Sequence, residues 1–216
     1  MRLVIALLFL VSVQAGAIVN GYAPADEDTS LDAVGAFGTY DGLTGGHSWF
    51  CAAVLIRPGV VLTARHCVYG LGGADAAVRV RRLPDGSVGS VEKDPSSFYN
   101  VAVQSIYLPN GGDAAVLYLA DAVAHVAPIP VSFAASVGDV TVAGWGREGP
   151  ELGEGAMVQA LECDTSLWYA GNELVYFLSA WNGAPCGPNV GDSGGPVLRD
   201  PSGDGSRASV IAVLNY

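Results

Sequence analysis

Apolar residues in this chain come in short runs, and that spacing most constrains its fold. The runs "AAVLI", "GVVLTA", "AAVRVRRL", "NVAVQSIYL", "AAVLYLA", "DVTVAGW", "LVYFLSA", "GGPVL" and "ASVIAVL" are rich in Val, Leu, Ile and Tyr. Turn-forming stretches separate them, among them "LPDGS", "LPNGGD", "REGPELGEG" and "RDPSGDGS". Long helical periodicity is scarce. Such a pattern predicts an all-β protein built as an antiparallel barrel or sandwich. With 216 residues the chain can form one large β domain or two small lobes. No internal repeat or low-complexity linker divides it. "PIPVSFAAS", residues 128–136, is the natural crossing between two halves.

Composition excludes several functions. Half the residues are hydrophobic and only 14% are charged, which argues against disorder. The net charge of −11 would repel a phosphate backbone or an anionic membrane surface, so neither nucleic acid nor membrane is an expected partner. The N-terminus reads as an export signal. Arg2 is followed by an apolar run from Leu3 to Val13, about eleven residues and too short to cross a bilayer. Ala15-Gly16-Ala17 then fits a small-residue cleavage site with the cut before Ile18, giving a signal peptide at 1–17. A cut after Ala15 is the alternative. The expected location is extracellular, and a periplasmic one fits the same features. Export makes Cys51, Cys67, Cys163 and Cys186 candidates for disulfides, with three connectivities open. None lies in a CxxC pair, so zinc is not expected. "GLGGADA" holds too few carboxylates for a calcium loop, and no cofactor is implied.

Three stretches carry residues suited to nucleophilic catalysis. In "GDSGGP", Gly191–Pro196, the glycines allow a sharp turn that aims backbone N–H groups at one point. Ser193 is the candidate nucleophile, and the Gly191 and Ser193 N–H groups are candidate oxyanion donors. In "LTARHC", His66 follows an apolar run and is a natural base for a hydroxyl. Cys51 and Cys67 lie sixteen positions apart around a hairpin pattern. A bridge between them would pin the histidine's loop and stabilise the fold by about 3 kcal/mol. In "NGGDAAVLYLA", Asp113 stands where an apolar strand begins. A carboxylate there needs a hydrogen-bond partner, and an imidazole N–H is a suitable one.

Taken in order, "IVNG" at 18–21, "CAAVLIRPGVVLTARHC" at 51–67, "DAAVLYL" at 113–119, "VAGWG" at 142–146 and "GDSGGP" at 191–196 resemble the chymotrypsin/trypsin family of serine proteases. The resemblance spans nearly the whole chain after Ala17. It implies two packed antiparallel six-stranded Greek-key barrels, forming a domain at 18–216 with lobes of about 18–130 and 131–216. It implies a monomeric, secreted endopeptidase that cleaves protein or peptide substrates through an acyl-enzyme. Ser193, His66 and Asp113 would be its triad, and Gly191 and Ser193 its oxyanion hole. It also implies a Cys163–Cys186 bridge, and an ion pair between the freed Ile18 amine and Asp192 that orders the serine loop. The rival reading is a catalytically silent homologue acting as a binding protein. An esterase of the α/β-hydrolase type is excluded by order, because none of the three histidines follows Ser193.

The chain departs from the family at three points. The base of the specificity pocket falls at Gly187, with no acid before Asp192, so cleavage after apolar or small residues is expected rather than after Arg or Lys. Asn215 would line the same pocket. Arg65 stands where a small residue is usual, directly before His66, and is expected to point to solvent. Finally, 23 residues follow Ser193 (216 − 193), so by family pattern the second barrel is expected to be incomplete at its C-terminal end, as in a truncated chain.

Overall fold

A computed structural model describes residues 29, 31–41, 46–87, 98–132, 138–146, 161–170, 173–177, 180–181, 184–185, 188, 190–199 and 208–215, with backbone alone over 161–185. All its extended elements are strands, joined among the described residues by two short 3-10 turns. Six strands close the first barrel: β1 (Val34–Asp41), β2 (Gly46–Arg57), β3 (Val60–Ala64), β4 (Ala76–Val80), β5 (Tyr99–Tyr107) and β6 (Ala114–Leu119). Their order around the barrel is β1-β2-β3-β6-β5-β4, and every pairing is antiparallel. Alternation explains the shorter strands: Ala115, Leu117 and Leu119 of β6 point into the core while Tyr118 between them is exposed. Cys51–Leu55 in β2 is buried on both faces, because the second half of the chain packs behind it.

The second half forms an open five-stranded antiparallel sheet among the described residues. Its strands are β7 (Gly138–Gly144), β8 (Leu161–Ala170), β9 (Glu173–Phe177), β12 (Pro196–Arg199) and β13 (Ser209–Val213), in the order β13-β12-β7-β8-β9. A small hairpin joins β10 (Ala180–Trp181) to β11 (Ala184–Pro185). Among the described residues the architecture is that of a trypsin-like double barrel, the first barrel closed and the second an open sheet. The crossing segment docks on the second sheet: Val131 bridges Val210, and Ser132 N–H donates to Val210 O at 2.8 Å.

The two halves share one core. Trp145 is fully buried, lies edge-on to Phe98, and donates its Nε1–H to Val34 O of β1 at 2.8 Å. Leu198 and Val210 join the same apolar cluster. At the barrel's edge the buried carboxylate of Asp32 takes Arg81 Nε at 3.2 Å and also pairs with Arg82. Nearer the hairpin tip, the Arg79 guanidinium lies 4.5 Å from the ring centroids of both Trp49 and Phe98. Burial pushes Arg79 down to about 10, so it stays charged at neutral pH.

Candidate active site

His66 lies in a single 3-10 turn, Arg65–Val68, directly after β3, and Asp113 is the residue before β6. Because β3 and β6 pair, with Ala64 opposite Ala114, the barrel brings the two together from 47 positions apart. Asp113 grips His66 twice. Its Oδ2 lies 2.6 Å from His66 Nδ1, and its Oδ1 accepts the His66 backbone N–H at 2.9 Å. The carboxylate therefore holds both the ring and the main chain of the histidine. The Nδ1 contact favours the tautomer with its proton on Nδ1, leaving Nε2 as the basic nitrogen. Both side chains remain partly open to solvent, His66 at 36% and Asp113 at 27%, so a substrate can reach the imidazole.

The Cys51–Cys67 disulfide ties β2 to the end of this turn. His66 and the two sulfurs place their ligand atoms within 4.8 Å of one another. Since the sulfurs are bonded to each other and neither is a thiolate, this is packing rather than a metal centre. The bridge also reaches across the molecule. Cys67 Sγ touches the Ser193 carbonyl oxygen at 3.7 Å, a contact and not a donated bond, because a disulfide sulfur carries no proton.

Ser193 belongs to the second half, yet the first barrel fixes its main chain. Ala52 N–H of β2 donates to Ser193 O at 2.8 Å. The next residue, Gly194, has φ +85° and faces the Thr63 hydroxyl, Ala52 O and Ala64 N so closely that no Cβ would fit. Its N–H donates to Leu214 O at 2.8 Å, and Leu214 N–H returns to Gly195 O at 2.8 Å. Gly191 also has positive φ, +96°, and among the described residues its N–H makes no hydrogen bond. Asp192 is fully buried, and its Oδ1 accepts Gly146 N–H at 2.7 Å. Gly144 abuts the same carboxylate, leaving no room for a side chain there. The "VAGWG" motif thus seats Asp192.

The other expected residues fare as follows. Arg65 does not point to solvent: it is half-buried, and its Nη1 donates to Pro109 O at 3.4 Å. A loop carbonyl within reach outcompetes water for one end of the side chain. Asn215 is exposed just beyond β13. Cys163 lies on β8, with its side chain outside the description. Ile18, Gly187 and Cys186 lie outside the described residues. His47 stacks on Trp49 and His125 Nε2 meets Arg82 O at 2.9 Å, so both serve the scaffold.

A closed six-stranded barrel presenting a His–Asp pair, packed against a second sheet that presents a glycine-rich serine turn, defines the trypsin-like class of serine protease folds. The chain belongs to the trypsin family, whose model, described as Trypsin, matches residues 33–213. It is 29% identical over 173 residues to a trypsin-like protease of Streptomyces glaucescens, a match covering 75% of this chain. The chain spans 64% of that relative's length, just under two thirds.

Proposed function

We propose that the protein is a secreted serine endopeptidase. The double grip of Asp113 on His66 carries this reading. Ser193 attacks the scissile carbonyl, His66 Nε2 takes the hydroxyl proton, and Asp113 holds and stabilises the imidazolium that forms. The developing oxyanion is bound by the Gly191 and Ser193 N–H groups; the left-handed backbone at Gly191 and its open N–H support this role. Protonated His66 then gives its proton to the leaving amine, and water hydrolyses the acyl-enzyme by the same route. The Ile18 α-amine released by export would pair with the buried carboxylate of Asp192. A free α-amine titrates near ~8, and pairing would raise that value, so the ordered serine loop would be lost as pH rises through the raised value. Substrates are proteins or peptides cut after apolar or small residues, and the enzyme acts as a monomer.

Incubating the purified secreted chain with a fluorophosphonate, then mapping the adduct, tests this. The expected result is a single adduct on Ser193, with faster turnover of an alanyl or phenylalanyl peptide than of an arginyl one. An unmodified Ser193 in folded protein would leave the silent binding homologue as the better account.

A further inference from the structure

We propose that Arg65 is a positioning residue: its guanidinium fastens the Leu108–Gly112 loop to the His66 turn and so holds Asp113 at the angle His66 needs. This rests on the catalytic reading of His66, Asp113 and Ser193 given above. The loop runs from the end of β5 to Asp113 and is largely exposed. Gly111 and Gly112, directly before Asp113, have φ +82° and +72°, and a side chain at either would meet nothing within 4 Å. Neither packing nor backbone preference therefore stiffens the approach to Asp113. Among the described residues, the hydrogen bond from Arg65 Nη1 to Pro109 O is the one made by the segment Pro109–Gly112. Arg65 holds the far end as well, its backbone N–H donating to Asp113 O at 3.1 Å. One residue thus clasps both ends of a glycine hinge.

The cost to Arg65 points the same way. Among the described residues its Nε is buried without a partner, a position that an arginine free to extend into water would not keep. The clasp matters because both bonds from Asp113 to His66 depend on where the hinge delivers that carboxylate, and a misplacement of about 1 Å at such a pair costs up to about 10²-fold in rate.

The test is steady-state hydrolysis of an activated peptide ester by the full chain, comparing wild type, Arg65→Met, Arg65→Lys, Asp113→Asn and the Arg65→Met/Asp113→Asn double variant. Arg65→Met is expected to lower kcat about tenfold with KM within about twofold. Arg65→Lys, which keeps one donor for Pro109 O, should recover part of that loss. In the Asp113→Asn background the Met substitution should cost less than about twofold, since a residue acting through Asp113 has nothing left to position. An equal loss in both backgrounds, a rise in KM alone, or an unchanged kcat beside a crippled Asp113→Asn would each overturn the proposal. Wild-type activity in Asp113→Asn would instead bring down the catalytic reading itself. If Arg65→Met does not fold, Arg65→Gln carries the same comparisons: a loss of kcat that shrinks below about twofold in the Asp113→Asn background supports the clasp, and an unchanged kcat or an equal loss in both backgrounds overturns it.

Discussion

The first barrel and the second sheet are held in different ways. The barrel is closed, is cross-linked by Cys51–Cys67, and carries His66 and Asp113 at the adjoining ends of the paired strands β3 and β6. Its proton-accepting pair is therefore a local product of the β3–β6 register. The second sheet carries Ser193 in a turn with two left-handed glycines, and that turn takes its anchors from both halves: Ala52 on one side, Leu214 and Gly146 on the other. The contrast separates two jobs. The proposed base is built into the closed barrel, whereas the proposed nucleophile is placed by contacts that cross the interface. Perturbations of the serine loop should then damage activity more than stability, and perturbations of the barrel away from the His66–Asp113 pair should do the reverse.

The sharpest probe of that contrast is Gly144→Ala. The added methyl would displace the Asp192 carboxylate and with it the oxyanion donors. Activity is expected to fall by about 10²–10³-fold, while thermal unfolding of the barrel changes little. A variant as active as wild type would break the comparison. Next comes removal of the bridge by Cys51→Ala/Cys67→Ala. Chemical denaturation should show a loss of about 3 kcal/mol, with the surviving folded fraction still active. Cooperative loss of activity well before unfolding would mean that the bridge also seats Ser193.

The smallest effect concerns His47. Burial first, and the Arg79 cation across the shared Trp49 ring second, lower its pKa from 6.5. Between the folded value and 6.5 the unfolded chain binds the extra proton more readily. The stability His47 contributes is therefore full above 6.5 and lost as pH falls through the lowered value. His47→Phe keeps the stacked ring and removes the charge. Its melting temperature should drop by about 1–2 °C less than wild type's on acidification, read by thermal scans on either side of that window.

Much of the fold was legible because inward and outward positions alternate where one strand face meets the core. The runs beginning at Ala52, Gly59, Ala76, Asn100, Ala114, Asp139 and Ala208 all fall on strands. β1 was not legible. "VGAFGTYD" carries two glycines, which weaken any strand pattern, yet β1 bulges between Phe37 and Gly38 and presses Gly38 against the Ser48 backbone. β8 escaped because "LECDTSLWYA" mixes charges into the run. The chemistry of His66 and Asp113 was visible as residue types, but their meeting depends on a register that no local pattern encodes. The Arg65 clasp was invisible for the same reason: Pro109 lies 44 positions away, and a charged side chain beside a turn reads as solvated by default.

The most direct measurement of whether one half activates the other is the rate of fluorophosphonate addition to Ser193 in wild type and in Asp113→Asn. The two groups sit on different halves, so any coupling between them must pass through His66. The account predicts rapid addition in wild type and a fall of about 10⁴-fold in the variant, with its folded structure retained. Equal rates in the two proteins would contradict it.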